Sequence, residues 1–286
     1  MPLVSMKEIL QRAKEKRYAV GHYNLNSLLW AIPILQAAEE ERAPVILASS
    51  DRLVDDLGGF RAIAAAIREF IREMSITVPV VLHLDHARSV ERCKRAIEAG
   101  YTSVMIDGSN YPIEENIAMT RVVVEYAREY GVSVEAEVGI VGGSEDGLEG
   151  SIQYADPKEC LRMVKEAHID ALAAALGSVH GPYRGEPKLN FERMKEISEI
   201  TDIPLVLHGG SGLPEEQIKR AIDLGHAKIN VNTECAQAWT NALRDFLSDE
   251  SHLHVYEPQR ILKPAHEAIK QTVKEKIKLF GTSYRC

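Results

Sequence analysis

No run of about 18 consecutive apolar residues occurs in this 286-residue chain, so nothing in it reads as a membrane-spanning helix. Cysteine is scarce. Cys93, Cys160, Cys235 and Cys286 lie far apart, which is no disulfide framework and fits a reducing cytosol. Positive charge is in deficit, with 34 Lys and Arg against 42 Asp and Glu, a net charge of −8. A nucleic-acid binder would carry the opposite balance. Low-complexity segments, long linkers and a Gly-x-Gly-x-x-Gly after the first strand-like run are all missing. These absences exclude collagen, a coiled coil, a secreted mini-protein and a membrane protein. Residues 1–17 read as a charged amphipathic helix rather than a secretory leader. The expectation is a cytoplasmic protein with neither nucleic-acid nor membrane partners.

The chain is 45% hydrophobic and 27% charged, enough to bury a large core. Its length would suit two domains of about 150 residues, yet one α/β barrel routinely holds roughly 250. Eight short apolar runs read as strands: Tyr18–His22, Val45–Ala48, Val80–Leu84, Ser103–Ile106, Ser133–Val138, Ala171–Leu176, Pro204–Leu207 and Ala227–Val231. Amphipathic segments between them end at glycine, as in Ala99-Gly100, Tyr130-Gly131 and Leu224-Gly225. Near-continuous apolar strands are buried on both faces, as in a parallel sheet. The expected fold class is therefore α/β, a (β/α)8 TIM barrel forming one domain over 1–286, with an open doubly wound sheet as the alternative. Two extra C-terminal helices, Cys235–Leu247 and Pro264–Phe280, flank an irregular Ser248–Pro258. They pack on the barrel or on a neighbouring subunit.

In such a barrel the active site lies past the C-terminal strand ends. Those positions hold Asp85-His86, Asp107-Gly108-Ser109, Glu135 and Glu137, His180-Gly181, His208-Gly209-Gly210-Ser211-Gly212 and Asn230-Val231-Asn232-Thr233. Three histidines on one rim, His86, His180 and His208, suit a zinc ion that keeps a coordination position open. Asp85 is either a general acid/base beside a bound substrate or the cap of the next helix. Asp107 and Glu137 read as a second metal position, as groups orienting the histidines, or as a buried ion pair. The glycine turns after strands six to eight suit a phosphate. The glycine-flanked loop Gly139–Ser151 reads as a mobile lid carrying Glu145 as a base that arrives on closure, or as a plain surface loop. No rim motif contains a lysine; Lys228 lies nearer the wrong end of strand eight, which argues against an imine mechanism. A zinc hydrolase and a non-catalytic sugar-phosphate binder are the rival classes.

The runs HLDH (83–86), MIDGS (105–109), EAEVGIVGGSEDG (135–147), ALGSVHG (175–181), LHGGSG (207–212) and KINVNTE (228–234) resemble the class II, zinc-dependent ketose-bisphosphate aldolases across essentially the whole chain. The resemblance implies zinc on His86, His180 and His208, Asp107 and Glu137 at an alternate metal position, and Asp85 as proton donor and acceptor. It implies Glu145 as a loop acid/base. It also implies a dihydroxyacetone phosphate site from Gly181, Gly209, Gly210, Ser211, Asn230, Val231, Asn232 and Thr233, assisted by a monovalent cation (Na+ or K+). Homodimers or homotetramers are expected. The family cleaves fructose bisphosphate, tagatose bisphosphate or 6-phospho-5-dehydro-2-deoxygluconate. Asn232 and Ala236 stand where some bisphosphate-cleaving relatives have an acidic residue and an arginine. The run ASSDRLVDDLGGF (48–60), with ITVPVVLHLDH and TECAQAW, resembles the inositol-catabolic branch and sets Ser50 and Arg52 near the mouth, where Arg52 can pair with a terminal carboxylate. The leading expectation is 6-phospho-5-dehydro-2-deoxygluconate as substrate, with the bisphosphates as alternatives.

Overall fold

The computed structural model describes residues 3–145, 148–150, 152–183 and 185–286, with side chains described outside 144–151. Helix α1 (Met6–Lys16) starts on Ser5, whose hydroxyl accepts from the Lys7 N–H, and ends on a left-handed Arg17. There follow β1 (Val20–Asn24), α2 (Ala31–Glu40), β2 (Val45–Ser50), α3 (Phe60–Glu73), β3 (Val80–Ala87), α4 (Val90–Ala99), β4 (Ser103–Ile106), α5 (Ile113–Tyr130) and β5 (Ser133–Val138). Two short strands, β6 (Gly142–Glu145) and β7 (Leu148–Gly150), precede α6 (Pro157–Arg162), β8 (Ala171–Ala174), β9 (Val179–His180) and α7 (Phe191–Thr201). The chain continues through β10 (Leu205–Leu207), α8 (Glu215–Asp223), β11 (His226–Val231), α9 (Thr233–Ser248) and α10 (Pro258–Leu279).

Eight parallel strands close into a barrel in the order β1-β11-β10-β8-β5-β4-β3-β2. Closure joins the first and last barrel strands, with Val20 beside Lys228 and Tyr23 beside Val231. Outward strand residues such as Leu47, Leu82, Val104 and Ile229 meet the apolar faces of the helices in one continuous cluster. Each such buried side chain contributes about 1.5–3 kcal/mol. Inside the barrel, Val20, Ile46, Val81, Ala171, Ala173 and Val206 pack against Met6, Leu10 and Ala13 of α1. Thus α1 closes the N-terminal end, and the open rim lies at the C-terminal strand ends. No helix among the described residues is long and apolar enough to cross a membrane.

Two expectations are corrected. The segment read as a loop over 139–151 contains paired strands, in a three-stranded sheet ordered β7-β6-β9. Its glycines have low strand propensity, which hid the signal, but Gly143 is required where it stands. It sits at φ +98° opposite His180, and a Cβ there would lie 2.7 Å from the His180 backbone nitrogen. The last helix begins at Pro258 and holds Pro264 in its interior. Pro258 fits the first helical position, while Pro264 forfeits one backbone bond that the helix tolerates.

Candidate active site

Strand β3 breaks its alternation at the rim. Leu84 pairs with Val104 and Ala87 with Ile106, so one extra residue bulges between them, and His86 takes a left-handed φ of 52°. The bulge lets consecutive residues Asp85 and His86 serve the same site. Ser89, not Asp85, caps α4, accepting from the Arg92 N–H. Asp85 is buried. Its Oδ2 accepts from Asn24 Nδ2 at 2.9 Å, and its Oδ1 has no hydrogen-bond partner. Burial pushes its carboxyl up, but the nearby His86, His22, His208 and Lys228 outweigh it and hold it well below the usual carboxylate range.

His86, His180 and His208 gather with one ring nitrogen each within 4.8 Å of the others. Ring centroids are 5.2 Å apart for His86–His180 and 4.7 Å for His86–His208. Carboxylates hold two of the rings from behind. Asp107 Oδ2 lies 2.9 Å from His86 Nδ1, and its Oδ1 accepts from Ser109 N and Oγ. Glu135 Oε1 lies 2.9 Å from His208 Nε2. An ionised carboxylate only accepts, so both of those ring nitrogens carry the proton. His86 Nε2 and His208 Nδ1 then face each other 3.0 Å apart as lone pairs. Only a shared proton or a cation reconciles them. Burial opposes charge on His86, but Asp85, Asp107 and Glu137 raise its pKa well above the ordinary value. The same carboxylates would stabilise a divalent cation. Glu137, raised well above its usual value by burial and by Asp107, has Oε2 unpartnered and 3.7 Å from His208 Nδ1. Three imidazoles with carboxylates behind them fit zinc. A second set, His86, Asp107 and Glu137, also falls within 4.8 Å.

Beside the histidines, Gly181, Gly209, Ser211, Asn230, Asn232 and Thr233 line one pocket with Val179 and His180. Asn232 precedes α9, so the N-terminal end of a 16-residue helix opens here. Gly209 has φ +64°, and a Cβ would lie 2.7 Å from the Val179 carbonyl carbon. The expected Gly210 and Val231 are not on this wall. The Gly210 N–H is spent on the Asn230 carbonyl, and Val231 packs outward in the core. Ser50 is buried at the end of β2 beside Asp85, and Arg52 is exposed on the turn that follows. The expected Glu145 side chain lies outside the described residues.

Sequence reasoning passed over three contributors. Asn24 holds Asp85. Tyr183 bridges the two turns, its hydroxyl donating to Gly209 O and accepting from Val179 N. Lys228, set aside as lying at the wrong end, is fully buried and points inward to Glu135. The parity of Glu135 with Glu137 on one strand face could have found the first half of that pair.

A parallel barrel that gathers three imidazoles, an ionised aspartate and a helix-capped glycine pocket on one rim is built as a metal-dependent enzyme. The chain belongs to the class II fructose-bisphosphate aldolase family, whose model matches residues 4–285. Members are zinc-dependent lyases that break a carbon–carbon bond. Over 283 residues the chain is 64% identical to the 6-phospho-5-dehydro-2-deoxy-D-gluconate aldolase of Halalkalibacterium halodurans, covering 99% of this chain and 98% of that one. It is 57% identical to a fructose-bisphosphate aldolase of Staphylococcus aureus, over 100% and 99% of the two chains. The crystal structure of the YdjI aldolase from Escherichia coli K12 matches with a TM-score of 0.86 and 33% identity, over 99% of both chains.

Proposed function

We propose that the protein cleaves 6-phospho-5-dehydro-2-deoxy-D-gluconate between C3 and C4, giving malonate semialdehyde and dihydroxyacetone phosphate. The observation that carries this reading is the convergence of His86, His180 and His208 beside the unpartnered Oδ1 of Asp85. The substrate follows from relatives of that name at 60–64% identity. Those three histidines would hold Zn2+, with Asp107 and Glu137 at an alternate position. When bound, the ion supplies electrophilic polarisation of the substrate ketone.

The chain's own groups perform the rest. Asp85, held by Asn24 at Oδ2, presents Oδ1 to the C3 hydroxyl and takes its proton. The electron pair left on the C3 oxygen becomes the second bond of the aldehyde carbonyl, and the C3–C4 pair moves onto the three-carbon fragment as an enediolate. Glu145 returns a proton to C4 of that fragment. Gly181, Gly209, Ser211, Asn230, Asn232 and Thr233 take the phosphate at the α9 N-terminus, with Gly210 and Val231 shaping the turns behind them. The unpartnered Asn230 Oδ1 supports a Na+ or K+ beside it. Ser50 and Arg52 meet the far carboxylate. In this reading the enzyme is a cytoplasmic homodimer or homotetramer. Four free cysteines, and Leu253 and Tyr256 exposed at 77% and 82% at the tip of the α9–α10 hairpin, support that.

Fructose 1,6-bisphosphate is the second reading, since Arg52 can pair with a phosphate as well as a carboxylate and relatives at 55–57% identity carry that name. Comparing kcat/KM for the two substrates tests the choice, and a large preference for the bisphosphate reverses it. Arg52→Ala should lower kcat/KM for the carboxylated substrate more than about tenfold, the scale of one lost charge-assisted bond. An equal loss on both substrates removes Arg52 from carboxylate recognition.

A further inference from the structure

We propose that Glu135 and Lys228 form a positioning pair that fixes the ring of His208 and so sets how tightly the rim grips its divalent ion. This rests on the reading of His208 as a metal ligand. Both side chains of the pair are fully buried beneath the rim. Lys228 Nζ lies 2.9 Å from Glu135 Oε2 and 3.1 Å from Oε1, and Oε1 also lies 2.9 Å from His208 Nε2. His83 Nε2, 3.9 Å from Oε2, is the remaining ring nitrogen facing this carboxylate.

Two features of the backbone make room for the pair. In β11, His226 pairs with Leu205 and Lys228 with Val206, so Ala227 is an extra, bulged residue that turns Lys228 inward. On β8 the residues opposite Glu135 and Glu137 are Ala171 and Ala173, small enough to leave the barrel axis to long side chains. Burying two charges here is costly, and apolar side chains of like volume would generally hold the barrel as well or better. The pair therefore has to be explained by what it touches. An ammonium can only donate, so it keeps Glu135 Oε1 an acceptor and sets its charge against Oε2. Glu135 in turn requires a proton on His208 Nε2 and leaves the Nδ1 lone pair toward His86 Nε2. Without the pair, the His208 ring is free to take the other tautomer and withdraw that lone pair.

The test measures zinc affinity by chelator competition, alongside thermal unfolding, for four proteins: the wild type, Glu135→Leu/Lys228→Met, Glu135→Gln/Lys228→Met and His208→Ala. The apolar double variant should fold with an undiminished Tm and bind zinc about 10–100-fold more weakly. The glutamine double variant, whose amide oxygen still accepts from His208 Nε2–H, should stay within about fivefold of the wild type. Zinc affinity in the apolar variant within about threefold of the wild type overturns the proposal. If His208→Ala itself leaves affinity unchanged, the ligand reading fails instead. Nitrogen-15 spectra of histidine-labelled, metal-free wild type give a check that needs no folded variant. The signal lost in His208→Ala should show a proton on Nε2, and a bare Nε2 with the proton on Nδ1 alone refutes the inference.

Discussion

Gly143→Ala isolates what the β6–β9 pairing does for His180. An added methyl would sit 2.7 Å from the His180 nitrogen, 2.9 Å from its carbonyl carbon, and closer still to its oxygen. Ordinary contact needs about 3.5 Å, so the two strands must part by roughly 1 Å. That displacement falls on the backbone of one member of the histidine trio. A misplacement of that size costs on the order of 10²-fold in rate. The left-handed φ of +98° adds about 1–2 kcal/mol of backbone strain. Local separation of a short edge sheet relieves most of it, so Tm should fall by only about 2–4 °C. Gly131→Ala is the control. Gly131 ends α5 at φ +67° with nothing within 4 Å of an added Cβ, so it carries comparable strain without the collision. A coupled assay that consumes dihydroxyacetone phosphate gives kcat, and calorimetry gives Tm. If Gly143→Ala keeps kcat within about threefold of the Gly131→Ala value, the reasoning that ties strand contact to His180 is wrong.

Other outcomes follow from the same geometry. Asp85→Asn removes the acceptor at Oδ1 and should lower kcat by about 10²–10⁴ with little change in KM, whereas a loss below fivefold assigns the proton to another group. EDTA should abolish cleavage and added zinc restore it, while borohydride with substrate should leave activity intact; inactivation by borohydride would point to a lysine imine. His226 provides a stability test away from the rim. Burial lowers its pKa to about 4, with Nδ1 bonded to Ala221 O and Nε2 unpartnered. The unfolded chain therefore takes up this proton first, and stability falls as pH drops from about 7 toward 4, by ~3 kcal/mol in all. Urea midpoints across that range should show a shallower decline in His226→Gln, and parallel curves would remove His226 as the cause.

The eight strands were legible because parallel strands buried on both faces read as short apolar runs, and the rim followed from where each run ends. The ends themselves shifted. The first strand lies at Val20–Asn24 rather than ending at His22, which brings Asn24 onto Asp85. Two of the features that stayed hidden share one cause. Bulges at Asp85–His86 and at Ala227 change which face a residue meets, and no residue type announces them. The first lets two neighbours serve one site. The second turns Lys228 from an apparent bystander at the wrong end into the partner of Glu135. The β6–β9 pairing escaped notice for a different reason, because glycine is what that close approach demands and also what a loop looks like.

Joining Val20 to Lys228 has a consequence for how the molecule comes to exist in the cell. A chain emerging from the ribosome can stack its early βα units one upon another, yet β1 keeps an unpaired edge until β11 has been synthesised. Loop-closure entropy over so long an intervening stretch makes that seam the slow contact. Until it forms, the nascent sheet presents two open margins, the state in which barrels of this kind are most exposed to aggregation and to chaperones.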